Sequence, residues 1–236
     1  MEAIILAGGK AERLGNAAGG KPKALVEIAG RPLIAYQLEL LRRASVGRVI
    51  VSCAAAQEDA FRQGLANEEI EIVVEGEPEP LGRGGGIRFA ARARAGTGPL
   101  YALNGDELLD VDLVELLHHH KAAGGAATLV VSPLVSQFGI VEVDDEDVVH
   151  GFTEAPRLPH WVNSGVYVLE NEALARFPEK GDHESSTFPE LAGEGRLRAY
   201  RHEGVWLTVN TPKELRKADE YVKANPGWLD HSETRT

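Results

Sequence analysis

An apolar run that breaks at once into two glycines most narrows what this chain can fold into. Glu2-Ala3-Ile4-Ile5-Leu6-Ala7 reads as a buried strand, and Gly8-Gly9-Lys10-Ala11-Glu12-Arg13-Leu14 comes directly after it. Glycines at a strand end let backbone N–H groups come close to ligand oxygens, and cations just beyond them oppose an anion's charge. A Gly-rich stretch then ends in Lys21-Pro22-Lys23-Ala24-Leu25, and Gly30-Arg31-Pro32-Leu33-Ile34 opens an amphipathic helix. Residues 1–31 hold five Lys and Arg against three Glu, although the whole chain has a net charge of −11. An acidic protein that binds an anion has to gather its positive charge at the ligand, and this segment is where it gathers.

Beyond the glycine turn, strand and helix patterns alternate. Apolar, β-rich runs occur at Ala3–Ala7, Arg48–Cys53, Ile70–Val74, Leu100–Leu103 and Ala127–Val131. Helical patterns separate them: Pro32–Ala44, with Leu33, Tyr36, Leu40 and Leu41 on one face and Pro32 at the first helical position, then Gln57–Leu65, Gly85–Ala95 and Asp112–Ala122. Nearly continuous apolar strands alternating with helices predict an α/β fold, a mostly parallel sheet covered on both faces. After about residue 135 the rhythm changes. Phe138–Val143, the acidic turn Asp144–Asp147, Val148–Thr153 and Trp161–Leu169 read as turn-separated strands. Helices at Asn171–Phe177 and Ser185–Ala192, strands at Arg196–Arg201 and Val205–Val209, and a helix at Pro212–Ala224 complete the order. The polar tail from Asn225 is expected to fray.

The acidic balance argues against non-specific binding to nucleic acid or to an anionic membrane. Cys53 is the only cysteine, so neither an internal disulfide nor a cysteine-based zinc cluster can form. No apolar run approaches the roughly 20 residues of a membrane span, and Gly8 interrupts the N-terminal run too early for a signal peptide, which makes the cytoplasm the expected location. His118-His119-His120 sits inside a helical pattern, where neighbours point in different directions and chelate one ion poorly; it reads as a solvated helix end.

Two further motifs carry chemistry. Pro80-Leu81-Gly82-Arg83-Gly84-Gly85-Gly86 lies between a strand and a helix, and its bare backbone could lie flat against a base or sugar. Leu103-Asn104-Gly105-Asp106 ends a buried strand, the edge at which open α/β sheets bind ligands, and a carboxylate there is placed to hold Mg²⁺ bridging phosphates. Asp110 and Asp112 are nearer to the next helix and better caps, which leaves Asp106 free. The first motif is neither the Gly-x-Gly-x-x-Gly dinucleotide fingerprint nor a P-loop, which needs Gly-Lys-[Ser/Thr].

Taken in order, these segments resemble the nucleotidyltransferases that join a nucleoside triphosphate to a sugar 1-phosphate. The opening is similar to their Ala-Gly-Gly-x-Gly-x-Arg-Leu…Pro-Lys-Pro-Leu signature, Pro80–Ile87 to their Pro-Leu-Gly-Thr-Ala-Gly-Ala-Ile segment, and Asn104-Gly105-Asp106 to their metal aspartate. Phe138–Val143, Gly151–Pro156 and Asn163–Tyr167 resemble the sugar-phosphate half, and Trp206–Pro212 the closing motif. The resemblance implies a three-layer Rossmann-like (GT-A-like) fold: a mixed, mostly parallel sheet, helices on both faces, and a small β-hairpin sugar-binding subregion. It implies one domain over residues 1–225, with nucleotide-binding (1–134) and sugar-phosphate-binding (135–225) parts and a tail at 226–236. The implied partners are a nucleoside triphosphate and a sugar 1-phosphate, with Mg²⁺ as cofactor. Arg13 would hold the pyrophosphate side, Lys23 the reacting phosphates, and Asp106 the metal. Leu6, Ala7, Gly8, Gly9, Lys10, Pro80, Gly82, Gly84 and Gly105 would surround the nucleotide, and Gly139, Glu154, Arg157, Asn163 and Gly165 the sugar phosphate.

Four departures from that pattern matter. Ala11 and Glu12 replace a small Gly-Thr/Ser pair. Ala155 stands where many relatives have a lysine that meets the sugar's phosphate, and Arg157 is the nearest replacement. Thr208 stands where many have a second metal aspartate; Val209-Asn210 resembles the Val-Asn version of bacterial N-acetylglucosamine-1-phosphate uridylyltransferases, with Asn210 as ligand. The rival reading makes Asn210 a turn residue or N-cap before Pro212. Lys23-Ala24-Leu25 resembles molybdopterin guanylyltransferases, so a molybdopterin, choline or polyol phosphate acceptor is an alternative, and a catalytically idle binding subunit is another. Backbone donors at 82–86 do not name the base, and oligomeric state leaves no mark in the sequence.

Overall fold

The computed structural model describes residues 1–9 and 11–230. Lys10, expected at the nucleotide, and the end of the tail at 231–236 lie outside the described residues. The first half contains strands β1 (Glu2–Leu6), β2 (Glu27–Ile28), β3 (Arg31–Pro32), β4 (Arg48–Ala54), β5 (Glu71–Glu77), β6 (Leu100–Asn104) and β7 (Glu107–Leu109), with helices α1 (Leu33–Arg43), α2 (Glu58–Gly64), α3 (Gly82–Ala90) and α4 (Leu113–Ala123). The second half contains β8 (Ala127–Val135), β9 (Ile140–Val143), β10 (Val149–Thr153), β11 (Arg157–Leu169), β12 (Leu197–Arg201) and β13 (Trp206–Thr208), with α5 (Asn171–Arg176), α6 (Thr187–Gly193) and α7 (Pro212–Ala224).

The main sheet has seven strands in the order β12-β8-β11-β6-β1-β4-β5. β1, β4, β5 and β6 run parallel, β12 runs parallel to β8, and β11 is antiparallel to both neighbours. Alternation along the strands divides the interior into two layers. Ala3, Ile5, Val49, Val51, Tyr101 and Leu103 face the layer that buries Leu33, Phe61, Leu116 and Ala218. Ile4, Ile50, Leu100 and Ala102 face the opposite layer, with Ile87, Leu174 and Leu191. Each fully buried Ile, Leu or Phe removes enough apolar surface from water to favour the fold by about 1.5–3 kcal/mol. The expected mixed, mostly parallel three-layer arrangement is what forms.

Local chemistry sets the ends of the helices. Asp112 caps α4 by accepting from Val114 N and Glu115 N (2.9 and 3.0 Å), and Gly124 closes it at φ 64°. Thr211 caps α7 in a reciprocal box with Glu214. Pro32 is the residue before α1, one position earlier than expected.

Three expectations need correction. Gly82–Gly86 is not an open loop but the first turn of α3, and Gly84, Gly85 and Gly86 are buried in it. Helix propensity disfavours three glycines, yet side chains there would collide with the 178–183 loop or with Leu6 and Glu77. His120 is not solvated: its Nδ1 lies 2.8 Å from Thr128 Oγ1 and its Nε2 3.2 Å from Glu170. The tail does not fray at 226–230, because Leu229 is buried, Trp228 packs on Tyr36 and Tyr221, and Asp230 pairs with Arg43 at 2.7 Å.

Candidate active site

The carboxyl ends of β1 and β6, adjacent and parallel, open a cleft of about 430 Å³. Its lining includes Leu6, Ala7, Gly9, Arg13, Lys23, Gly105, Asp106 and Asn210, all expected from sequence, together with Ala24, Arg83, Asn104 and Glu107, which were not. The volume is within the range of small-molecule sites.

Close backbone contact joins the two strand ends. Gly105 N donates to Leu6 O at 2.8 Å, and a Cβ on Gly105 would stand 2.5 Å from that oxygen, closer than real Cβ atoms come. The chain therefore passes from Asn104 to Asp106 only through a residue without a side chain. Behind the turn, Gln37 of α1 is buried among apolar neighbours. Its Nε2 donates to Asn104 O (2.7 Å) and Glu107 O (2.9 Å), fixing the segment that carries Asp106.

Asn210 arrives by a different route. β7, just after Asp106, pairs antiparallel with β13, and Val209 N donates to Asp106 O at 2.9 Å. This ladder places the Asn210 side chain beside Asp106. Of the rival reading, the N-cap part fails, since Thr211 is the N-cap; Asn210 lies in the bend before α7 and donates its backbone N–H to Glu214 at 2.7 Å. Its amide oxygen accepts from Lys23 Nζ at 2.6 Å and from Arg13 at 3.0 Å.

Lys23 is the hub. It sits in a 3₁₀ turn, Lys23–Leu25, with its side chain only 9% exposed, and its ammonium lies 2.6 Å from Asp106 Oδ2 as well as from Asn210. Two hard oxygens, one charged, thus converge on a single cationic point. No group of three or more His, Cys, Asp or Glu able to hold a metal exists among the described residues, so a divalent ion here would need ligand oxygens to complete its shell. Next to Asp106, burial pushes the Glu107 carboxyl up to about 8 and Asp106 adds to the rise, while donors from Trp206 and Asn104 pull the other way.

The remaining expected residues are placed elsewhere. Gly8 is against Glu77 and Ala54 at the next strand end, and Pro80 is exposed and does not line the cleft. Gly82 and Gly84 pack on Gly181, Pro178 and His183, which turns them away from a ligand. The residue of that segment lining the cleft is Arg83, whose guanidinium pairs with Glu184. Glu184 also accepts from Asn163 at 2.9 Å, and Asn163 donates to Tyr167 at 2.8 Å. Asn163 therefore reaches the cleft only through Glu184 and Arg83. Gly165, at φ 71°, lies close against Asn104, where a Cβ would clash with its amide. Gly139 and Glu154 adjoin each other at the foot of the β9–β10 hairpin, outside the cleft lining. Arg157 does not replace the missing lysine near the cleft: it pairs with Glu203 at 3.0 Å and covers the Trp161 ring.

A family model described as nucleotidyl transferase matches residues 2–225. The zebrafish (Danio rerio) mannose-1-phosphate guanylyltransferase catalytic subunit beta is 30% identical, over 97% of this chain and 70% of its own length. A probable mannose-1-phosphate guanylyltransferase 1 of Oryza sativa subsp. japonica is 32% identical, over 91% of this chain and 62% of its own. The chain thus spans between three fifths and three quarters of these two relatives. Among solved structures, HddC from Yersinia pseudotuberculosis superposes with a TM-score of 0.73 at 24% identity, covering 93% of this chain and 98% of its own. A putative glucose-1-phosphate thymidylyltransferase from Bacillus anthracis gives 0.77 at 16% identity, covering 98% and 99%. At such identities the superpositions establish the fold. Among the described residues, no helix is long and apolar enough to cross a membrane.

Proposed function

The chain belongs to the nucleotidyl transferase family, and from that premise we propose that it transfers a nucleotidyl group from a nucleoside triphosphate to a sugar 1-phosphate, forming a nucleoside diphosphate sugar and releasing pyrophosphate, with Mg²⁺. The observation that carries this reading is the convergence of Lys23, Arg13, Asp106 and Asn210 at the joined ends of β1 and β6. Two cations face one carboxylate there, which leaves an excess of positive charge for a polyanionic ligand.

The acceptor phosphate is an anion near neutral pH, so attack on the α-phosphorus requires no strong base. Rate then comes from alignment and from stabilising charge on the transferring and leaving phosphates. Arg13 and Lys23 supply that stabilisation, and the burial of Lys23 strengthens it by excluding water. Asp106 and Asn210 would hold Mg²⁺, which when bound polarises phosphate oxygens and favours departure of pyrophosphate. Arg83, the third cation lining the cleft, meets the acceptor phosphate in place of the lysine missing at Ala155, and the Glu184–Asn163 bridge holds its guanidinium in position.

The test is pyrophosphate release across a panel of triphosphates and sugar 1-phosphates, with GTP and mannose 1-phosphate first because the sequence relatives are named for that pair. Turnover with at least one pair, lost in Asp106→Ala, is expected. Nucleotide binding without turnover for any pair would identify an idle homologue instead. Turnover confined to choline, polyol or molybdopterin phosphates would overturn the sugar assignment.

A further inference from the structure

Eight of the ten large hydrophobic residues exposed among the described residues lie in one segment, Val135 to Phe152. This segment holds the hairpin of β9 and β10, a two-stranded sheet of its own that leaves the main sheet where Val135 pairs with Arg157. Its register sorts the side chains. Val141 opposes Phe152 and Val143 opposes Val149, and opposed residues of an antiparallel pair point to the same face. One face of the arm therefore carries Val141, Val143, Val149 and Phe152, with a bulge at His150 and Glu154 at its foot, and these four residues are 46–66% exposed. An isolated two-stranded hairpin is marginal in water unless something covers its apolar face.

We propose that the cover is a second copy of this chain, the two arms packing apolar face to apolar face about a two-fold axis. Area supports a second copy. With Val148 at the turn, the four side chains expose on the order of 500 Å² of apolar surface, close to the apolar share of one side of a standard interface, which buries roughly 800 Å² per partner at about 60% apolar.

Charge supports the same pairing. The tip of the arm is Asp144-Asp145-Glu146-Asp147, and its foot carries Arg201 and the Arg157–Glu203 pair, both arginines stacked on Trp161, an excess of one positive charge in that group. Two-fold pairing of antiparallel arms lays the tip of each beside the foot of the other. With strands of four and five residues the arm is about 15 Å long, so the acidic tip spans to that basic foot. Self-complementarity of this kind is what an isologous interface requires.

Sedimentation velocity on the full chain, over about 1–100 µM, tests the inference. A species of twice 25.4 kDa is expected to dominate the upper half of the range. Val143→Glu with Val149→Glu, at positions already exposed in the monomer, is expected to weaken association at least tenfold and lower the melting point somewhat, while leaving the circular-dichroism spectrum in place. Asp145→Lys with Glu146→Lys is expected to weaken it several-fold at low salt, and adding Arg157→Glu with Arg201→Glu to restore it. A wild-type chain that stays monomeric throughout overturns the proposal. So does a dimer unmoved by the glutamates, and a charge reversal that is not restored overturns the tip-to-foot arrangement.

Discussion

Gln37→Leu separates the support of the active site from its chemistry. Gln37 donates two hydrogen bonds, to Asn104 O at 2.7 Å and Glu107 O at 2.9 Å, from a position 2% exposed, and neither goes to Lys23 or Arg13. Each such bond contributes roughly 1 kcal/mol net, leaving a carbonyl in an apolar surrounding adds about 1–3 kcal/mol, and removing the buried, unpartnered Gln37 Oε1 returns part of that, so the variant should lose about 2–4 kcal/mol of stability. Urea unfolding followed by tryptophan fluorescence should show a midpoint lower by about 1 M, at a slope of roughly 2–3 kcal/mol/M. Turnover below the melting range should fall on the order of 100-fold, since a displacement of about 1 Å in Asp106 relative to Lys23 is enough for that. The KM for the triphosphate should change little, as the glycine turn and Arg13 are untouched. A variant with full turnover and less than about 1 kcal/mol of destabilisation would refute the idea that this amide holds the Asp106 segment in place.

Other perturbations have distinct signatures. Asp106→Ala should abolish Mg²⁺-dependent turnover and lower the melting point by several degrees with the fold retained, because the carboxylate is 31% exposed but its loss leaves the Lys23 ammonium, on a side chain 9% exposed, without its charged partner; calorimetry and pyrophosphate release check both. Asn210→Asp should lower the Mg²⁺ concentration for half-maximal rate and raise the KM for the triphosphate, the added negative charge helping the first and opposing the second. Gly105→Ala should cost about 2–3 kcal/mol in urea unfolding, because its Cβ would press on Leu6 O. His183 is fully buried between Phe177 and Phe188, and burial, with Arg83 adding to it and Asp182 opposing, lowers its pKa to about 4. An unfolded His titrates near 6.5, so the unfolded state takes up the proton first. Its contribution is fully present above pH 6.5 and falls by as much as about 3 kcal/mol towards pH 4. His183→Phe should flatten the dependence of stability on pH across that window, and an unchanged slope would remove His183 as its source.

Sequence carries the frame because each central strand meets the same environment along its length. β1, β4 and β6 are apolar on both faces, so their runs stand out without any knowledge of their partners. The start of Pro212–Ala224 is legible because Thr211, Pro212 and Glu214 act within one turn. α3 was not, because what allows three glycines in its first turn is the close approach of residues 178–183, about a hundred positions away. The hairpin was visible as strands and a turn, but the Ile-Val-Glu-Val run does not say that both of its faces meet water. Gln37 left a trace that was open to reading: it lies on the same helix face as Leu33, Leu40 and Leu41, a polar amide within an apolar stripe, which implies buried acceptors.

The cleft divides along the same line. Leu6, Ala7, Gly9 and Gly105 derive from strand ends and tight turns, which are local. The charged set depends on pairings that span the chain: Lys23 with Asp106, Arg13 with Asn210, Arg83 with Glu184. The same pairings decide which cations a ligand meets. Arg157 lies nearer in sequence to the vacant lysine position than Arg83 does, but Glu203 and Trp161 hold it at the arm's foot, whereas Glu184 holds Arg83 on the cleft wall. A neutral amide at 210 has a matching effect. Lys23 and Arg13 share its oxygen without either charge being cancelled, and Asp106 alone opposes them. With aspartate at 210 the set would balance and the attraction for a triphosphate would weaken. On the proposed function, the amide at 210 and the threonine at 208 would favour the anionic substrate over the tightest grip on a metal.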